Sequence, residues 1–340
     1  VPSLAPGEIL VKISGTTLCG SDLHTFEGRR QTPVPTILGH EVIGRIVEIG
    51  GNEPVPDLSG RVLGVGDRVT WSVAASCGEC FYCRRELEQK CERLFKYGHE
   101  RCDGRHAFSG GLAEVAHLVA GTSIVRLPDD LPDAIACPAS CATATVAAAL
   151  RLAGGCEGES VLIQGAGLLG LTASAMARTA GAKEIVVCDP DRARCDLALS
   201  FGADRVIVID GDQRSFIERV RQVNDGRGVD LALEFSGASA SVSAGLEVLR
   251  IGGRYILVGA VFPGPAVPLD VQQLIRRMLT IRGLHNYAAR DLVSAVGFLG
   301  AHHPRFPFAE LIAGPFPLES AEAAFAHAIE TRAPRVMVVP

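Results

Sequence analysis

The apolar positions of this chain change rhythm about halfway along it. In the first part they come in short runs cut by Gly and Pro turns. Glu8-Ile-Leu-Val-Lys-Ile13 alternates as a strand does. Ser21-Asp22 is suited to cap a short helix after it, and the stretch 31–37, with its two prolines, is a loop. Val42 to Ile49 reads as a strand, Gly64-Val-Gly-Asp-Arg-Val69 as a turn into a strand, and Gly110-Gly-Leu-Ala-Glu-Val-Ala116 as the start of a further strand. No long helix interrupts this β-rich part. An Ala-rich helix then runs from Cys141 to about Arg151, and Gly154, Gly155 and Gly158 close it.

From Ser160 onward, continuous apolar strands alternate with helices. The strands are Val161–Gln164, Glu184–Asp189, Arg205–Ile209, Asp230–Phe235, Tyr255–Val258 and Thr280–Arg282. Helices are read to Ala180 with Gly181 as the stop, from Asp191 to Phe201, and from Ser215 to Val223. Strands with no polar alternation, joined by helices, predict a parallel sheet covered on both faces. The expected class is α/β: a doubly wound parallel sheet plus a β-rich domain. Arg335-Val-Met-Val-Val-Pro340 is a last strand with no helix after it, and is expected to return to the first domain.

A length of 340 residues suffices for two domains that each bury a core. With 47% hydrophobic and 21% charged residues, the composition is that of an ordinary soluble globular protein. A formal net charge of -5 argues against nucleic acid held on a basic surface. The most apolar stretch, Cys141 to Leu150, ends at Arg151 and is too short to span a membrane. The chain opens on Val1-Pro2 without a basic, then apolar, leader, which reads as a trimmed start. Of eleven cysteines, four stand at metal-ligand spacing, so a cytoplasmic protein with metal-bound thiolates is expected rather than a disulfide scaffold.

The candidate chemistry begins at Cys19-Gly-Ser-Asp-Leu-His24 and Gly39-His40-Glu41. A thiol, an imidazole and carboxylates within so short a span suit a divalent transition metal, zinc first, and a catalytic zinc takes three protein ligands and leaves a position open. Cys77-Gly-Glu-Cys80-Phe-Tyr-Cys83 and Cys91 form C-x2-C-x2-C-x7-C. Four thiolates that close together make a closed, structural site. Gly165-Ala-Gly167-Leu168-Leu169-Gly170 ends a strand and opens a helix, the context in which such glycines bring the backbone up to a dinucleotide pyrophosphate in a Rossmann fold. Asp189 ends the next strand, 24 positions after Gly165. A carboxylate there accepts from a ribose diol and repels a 2′-phosphate, favouring NAD over NADP, although Arg192 and Arg194 close by weaken that preference.

A metal site, a closed four-cysteine site and a dinucleotide fold in one chain resemble the zinc-dependent medium-chain alcohol dehydrogenases, over essentially the whole sequence. The resemblance implies a GroES-like catalytic domain of residues 1–141 and 290–340 around a Rossmann NAD-binding domain of residues 142–289, with substrate entering between them. It implies two zinc ions per chain. Cys19 and His40 match two catalytic ligands, and the third is Cys141 or its rival Cys137; the spacing to Gly165 favours Cys141. By the same resemblance Asp22 orients His40, Glu41 lies behind the metal, Ser21 bonds the alcohol oxygen and His24 passes its proton to solvent. Gly20 stands where some members carry an Arg on the pyrophosphate, a charge that Arg335 is expected to replace. Val258 and Arg194 complete the expected cofactor contacts. Cys102, Cys156, Cys188 and Cys195 read as ordinary small residues.

The activity implied is reversible hydride transfer between an alcohol and NAD, zinc acting as a Lewis acid on the hydroxyl. Gly28-Arg-Arg-Gln-Thr-Pro-Val-Pro35, Lys96-Tyr-Gly-His-Glu100 and Cys141-Ala-Thr-Ala-Thr-Val146 are similar to a bacterial subgroup associated with phosphonate catabolism, and to relatives that oxidise cyclic secondary alcohols such as hydroxycamphor. Arg29, Arg30, Arg101 and Arg105 are candidates for an anionic substrate tail, against the plainer reading of solvated loop arginines. A non-catalytic zinc- and NAD-binding protein would have no need of Ser21 and His24, and a zinc-free quinone reductase no need of Cys19, His40 or the four-cysteine loop. The family's dimers or tetramers assemble largely through the nucleotide domain, with Tyr255–Val258 read as an edge strand pairing across a two-fold axis.

Overall fold

The structure is a computed structural model that describes residues 3–340, apart from the Arg105 side chain. Six strands lead the chain: β1 Ile9–Thr17, β2 Glu41–Ile49, β3 Arg68–Ala75, β4 Phe95–Lys96, β5 Val115–Leu118 and β6 Thr122–Arg126. Six more follow: β7 Ser160–Gln164, β8 Glu184–Asp189, β9 Arg205–Val208, β10 Val229–Glu234, β11 Leu249–Leu257 and β12 Thr280–Gly283. β13 Ile312–Pro317 and β14 Arg335–Val339 close it. The chain divides into two compact units, one of residues up to Ala144 together with Tyr287–Pro340, the other Thr145–Asn286.

In the first unit β1 is the spine. It pairs with β2 along its length, with β5 over Ile9–Lys12 and with β14 over Thr16–Thr17, all antiparallel. β3, β4 and β6 continue the sheet, and β13 lies parallel to β14 at its far edge. One face packs Ile9, Val11, Ile13, Ile46, Val69 and Trp71. Leu18, Val336 and Val338 instead pack against Phe325 and Ala328 of the helix Ala321–Thr331. Burying each large apolar side chain stabilises the fold by about 1.5–3 kcal/mol.

The register assembles a site. Thr17 faces Glu41 across β1 and β2, and Leu18 N–H donates to the Val336 carbonyl at 2.9 Å. The residue leaving β1 (Cys19), the one before β2 (His40) and the one opening β14 (Arg335) therefore meet at one corner. The helix Gly20–Phe26 follows at once, and Phe26 stacks on Phe325 with ring centroids 4.4 Å apart. Its cap is Cys19, a correction to the reading of Ser21-Asp22: Asp22 sits inside the first turn and reaches back to the Cys19 N–H. The stretch 110–114 is irregular and pairing starts at Val115, because Gly111 and Leu112 give their N–H groups to Gly39 and Leu38.

The second unit has six parallel strands in the order β12-β11-β10-β7-β8-β9, flanked by helices. β7 is wholly buried, and Leu162, Val186, Ile207, Phe216, Val220 and Tyr255 share one core. The order reverses between β7 and β10, which puts a ligand crevice at the carboxyl end of β7. Tyr255–Leu257 lies in β11 with β10 and β12 on either side, so the expectation of an edge strand there is corrected: the edges are β12 and β9. No single helix among the described residues is long and apolar enough to cross a membrane.

Gly170 tests the close packing behind β7. A Cβ there would fall 1.8 Å from the Gly165 carbonyl oxygen. Gly170→Ala is expected to destabilise the chain by about 1–3 kcal/mol, read as a lower urea midpoint; an unchanged midpoint contradicts this packing.

Candidate active site and metal centres

One ligand atom each from Cys19, His40 and Cys141 lie within 4.8 Å of one another. Asp22, wholly buried, organises the first two. Its Oδ2 accepts from the Cys19 N–H at 2.9 Å, and its Oδ1 accepts from the Gly39 N–H at 3.1 Å and faces His40 Nδ1 at 3.2 Å. The imidazole thus presents Nε2 to the site, with Ser21 Oγ 3.4 Å from it. Gly39 holds φ +91°, and a Cβ would meet Leu112 N at 3.0 Å, so both conformation and space call for glycine. Cys141 stands between the 3-10 turn Cys137–Ser140 and the helix Ala142–Ala153. Ser140 Oγ donates to the His40 carbonyl at 3.3 Å, and the Tyr287 hydroxyl donates to the Ser140 carbonyl. Cys137 is wholly buried and outside this cluster, its thiol pushed up by burial and by the nearby Asp133 and Glu41 carboxylates.

The electrostatics suit a cation. The Cys141 S–H donates to Cys19, and against burial this lowers the Cys19 thiol, with Arg335 and His40 adding to the effect. Cys141 is correspondingly raised and keeps the shared proton. Burial disfavours charge on His40, but Asp22 and then Cys19 outweigh it and hold it up at about 10. Metal-free, the cluster therefore holds protons on Cys141 and His40 that a bound ion displaces. Two sulfurs and one imidazole nitrogen fit zinc with a position left open.

Behind the cluster, Glu41 accepts from Thr17 Oγ1 at 2.6 Å, Arg335 Nε at 2.6 Å and Arg335 Nη2 at 2.7 Å. Burial, reinforced by the Cys19 charge, raises the Glu41 carboxyl, and Arg335 opposes the rise. Arg335 Nη2 also lies 3.5 Å from Cys19 Sγ, and Nη1 donates to the Pro334 carbonyl. The Arg335 charge, expected to serve a pyrophosphate, is turned here to Glu41 and Cys19, because β14 opens beside the end of β1. His24 lies one helical turn beyond Ser21, half-buried, its imidazole lowered by burial and then by Arg29.

The four-cysteine loop forms a second cluster. Its Sγ–Sγ distances are 3.4 Å for Cys77–Cys91, 3.5 Å for Cys80–Cys83, 3.9 Å for Cys80–Cys91 and 4.0 Å for Cys77–Cys83. A tetrahedral zinc with Zn–S of about 2.3 Å separates its sulfurs by about 3.8 Å. Backbone N–H groups, that of Glu79 first for Cys77 and that of Glu92 first for Cys80, draw both thiols down, Cys77 to about 6.

In the second unit, Gly165 follows β7 with φ +97°, and Gly167 caps the helix Leu168–Thr179. A Cβ on Gly167 would meet nothing within 4 Å, so the turn has open space where a phosphate would approach. Leu168 is buried and Leu169 half-buried in the first helical turn. Asp189, at the end of β8, accepts from Ala166 N at 2.8 Å and Asp191 N at 2.9 Å. Each oxygen keeps a further lone pair. Arg194 lies on the following helix, 3.9 Å from Asp191. Val258 is buried just past β11 and donates its N–H to the Glu234 carbonyl. Glu234 itself, absent from the sequence reading, accepts from Ser236 Oγ at 2.7 Å and Gly237 N at 2.6 Å; a carboxylate closing an apolar strand was its signal.

The four loop arginines separate. Arg29 pairs with Glu27, and Arg101 pairs with Asp103 at 2.7 Å, both exposed. The Arg105 side chain lies outside the described residues. Of the three described side chains, Arg30 alone is half-buried, against His99.

Comparison with known proteins agrees with this geometry. Residues 5–129 match the alcohol dehydrogenase GroES-like domain, and residues 169–300 match the zinc-binding dehydrogenase domain. The chain is 37% identical over 292 residues to an L-threonine 3-dehydrogenase of Pyrococcus horikoshii, covering 84% of this chain and 77% of that one. It belongs to the zinc-dependent medium-chain dehydrogenases. The L-threonine 3-dehydrogenase of Thermococcus kodakarensis is 35% identical, over 81% of this dehydrogenase and 74% of the relative. An alcohol dehydrogenase of Thermotoga maritima superposes with a TM-score of 0.94 at 30% identity, covering 100% of this chain and 94% of that one. The fold is accordingly a GroES-like domain with a Rossmann-type domain, and the chemistry is oxidation or reduction at CH–OH groups.

Asp22→Ala removes the carboxylate that orients His40. Zinc affinity at the Cys19 cluster is expected to fall about 10- to 100-fold in chelator competition, while the four-cysteine site keeps its ion; equal affinity in both proteins contradicts the assignment.

Proposed function

We propose that this dehydrogenase oxidises a small alcohol to an aldehyde or ketone with NAD, reversibly, and holds two zinc ions per chain. The observation that supports this best is the placing of Ser21 Oγ beside His40 Nε2, with His24 one turn further along the same helix. Bound zinc, held by Cys19, His40 and Cys141, would supply a Lewis acid that acidifies a substrate hydroxyl, and NAD on the glycine turn would supply the hydride acceptor.

The chain's own residues do the remainder. Ser21 Oγ accepts the hydroxyl proton as it gives up its own, and His24 takes up the released proton and carries it outward. His24 suits that role because burial holds its imidazole below the ordinary value, leaving it unprotonated at pH 7. Asp22 fixes the tautomer of His40, and the Glu41–Arg335 pair sets the charge behind Cys19. Cys77, Cys80, Cys83 and Cys91 brace their loop around the second ion. Asp189 supports NAD over NADP, since a buried carboxylate beside the turn disfavours a further phosphate there. A second reading, L-threonine as the alcohol, is favoured by the curated relatives of that name.

Cys19→Ala is expected to abolish NADH formation against a panel of primary, polyol, cyclic secondary and phosphonate-bearing alcohols and L-threonine. Zinc content falls from two to one per chain. Full activity with both ions retained would sink the reading.

The pH profile supplies another check. Alcohol oxidation should decline only below the ordinary histidine range, as His24 gains a proton and stops accepting one. His24→Gln should lose about 10²-fold in kcat and remove that acid limb. A His24→Gln profile that keeps the limb and the rate contradicts the relay.

A further inference from the structure

Beside the Cys19 cluster, the first unit carries a group of cations that the reaction above does not use. Arg30 follows the helix Gly20–Phe26 and is tethered to it by its N–H, which donates to the His24 carbonyl at 3.0 Å. Its Nη1 lies 3.3 Å from His99 Nε2. His99 is only 8% exposed, and its ring centroid is 5.2 Å from that of His40. Lys96, half-buried, stands at the start of the same turn, where the His99 N–H donates to the Lys96 carbonyl at 3.1 Å.

No carboxylate pairs with the Arg30 guanidinium or the Lys96 ammonium among the described residues, in contrast to Arg29 and Arg101. The nearby Glu100 carboxylate accepts the backbone N–H of Lys96 instead. A guanidinium only donates, so His99 Nε2 is the acceptor and the ring's other nitrogen carries the hydrogen. That Nδ1 is buried and has no partner. An unmet buried donor is costly, and partly buried cations without a counter-charge add to the cost.

Arg30 is the member of this group that lines a cavity of ≈ 410 Å³, together with Thr25, Gln31, Thr32, Thr36 and Leu38 among others. Thr32 and Thr36 donate to the His99 and Glu100 carbonyls at 3.2 and 2.6 Å, which ties the cavity wall to the turn bearing Lys96 and His99. We propose that this cavity takes an oxyanion carried by the alcohol substrate, a carboxylate, phosphate or phosphonate, bound by Arg30, which His99 positions and to which Lys96 on the adjoining turn adds charge. The inference rests on the alcohol dehydrogenase reading and narrows its substrate class. Arg30 offers a planar fork for two oxygens and Lys96 a point charge, and His99 Nε2 holds the Arg30 guanidinium in place. His99 links the two places: its ring centroid is 5.2 Å from that of His40, and its Nε2 is 3.3 Å from Arg30 Nη1.

The test uses the zinc-loaded full chain with NAD and alcohols of matched size: 3-hydroxypropylphosphonate and 4-hydroxybutyrate against 1,4-butanediol. An anionic member is expected to be preferred in kcat/KM, and the two anionic arms tell phosphonate from carboxylate. Arg30→Gln should cut the anionic-to-neutral ratio by about 10- to 100-fold, and Lys96→Met by a smaller factor, whereas Arg29→Gln leaves the ratio in place. Binding of methylphosphonate, followed by phosphorus NMR line broadening, reads the same site without turnover and should be lost in an Arg30→Gln protein whose melting temperature is unchanged. Methylphosphonate binding in the wild type but not in Arg30→Gln supports the anion site even if no alcohol is turned over, an outcome that would count against the dehydrogenase reading alone. Neutral alcohols oxidised as well as anionic ones, with methylphosphonate bound equally by both proteins or by neither, overturns the anion site and leaves the dehydrogenase reading standing.

Discussion

One carboxylate, that of Asp22, decides whether the corner between β1 and β2 can be a metal site. It gathers the Cys19 N–H, the Gly39 N–H and the His40 ring onto two oxygens with no exposure to solvent. Hydrogen bonds to a charged acceptor are the strong ones, and burial strengthens them further. The thiol at the end of one strand and the imidazole at the start of the next are therefore held by a common anchor, and Cys141 is added by its own brace through Ser140 and Tyr287.

The second constraint is charge. Two half-buried thiols share one corner with the buried His40 and Glu41, and the Arg335 guanidinium stands among them. Removing one partner of a buried ion pair is destabilising by about 3–5 kcal/mol, since it strands the other charge. The last strand of the chain thus contributes electrostatics as well as sheet pairing. Closing β14 onto β1 brings in a cation that adds to the hydrogen bond from Cys141 in lowering the Cys19 thiol.

Much of this was legible in the sequence because the motifs carry their own local geometry. The four cysteines read as one cluster because their spacing leaves few other arrangements, and the glycine turn read correctly because a strand precedes it and a helix follows. What stayed hidden depends on pairing between distant segments. The meeting of Arg335 with Glu41, 294 positions apart, is set by β14 pairing with β1. The position of β11 inside its sheet is set by β12, a short strand with little burial of its own. Ser21 and Asp22 are both good cap residues, but the backward reach of Asp22 moved the cap to Cys19. The four arginines looked alike in sequence, and only their neighbours separate Arg30 from Arg29 and Arg101.

The most direct measurement of the central claim is the electronic spectrum of the chain with cobalt in place of zinc, taken for the wild type and for Cys141→Ser and Cys137→Ser. Thiolate-to-cobalt charge-transfer bands report each sulfur bound to the ion. With Cys19, His40 and Cys141 as ligands, Cys141→Ser weakens the bands of the Cys19 site, while Cys137→Ser leaves the spectrum as it is in the wild type. Loss of intensity in Cys137→Ser with none in Cys141→Ser would contradict the site and the chemistry built on it.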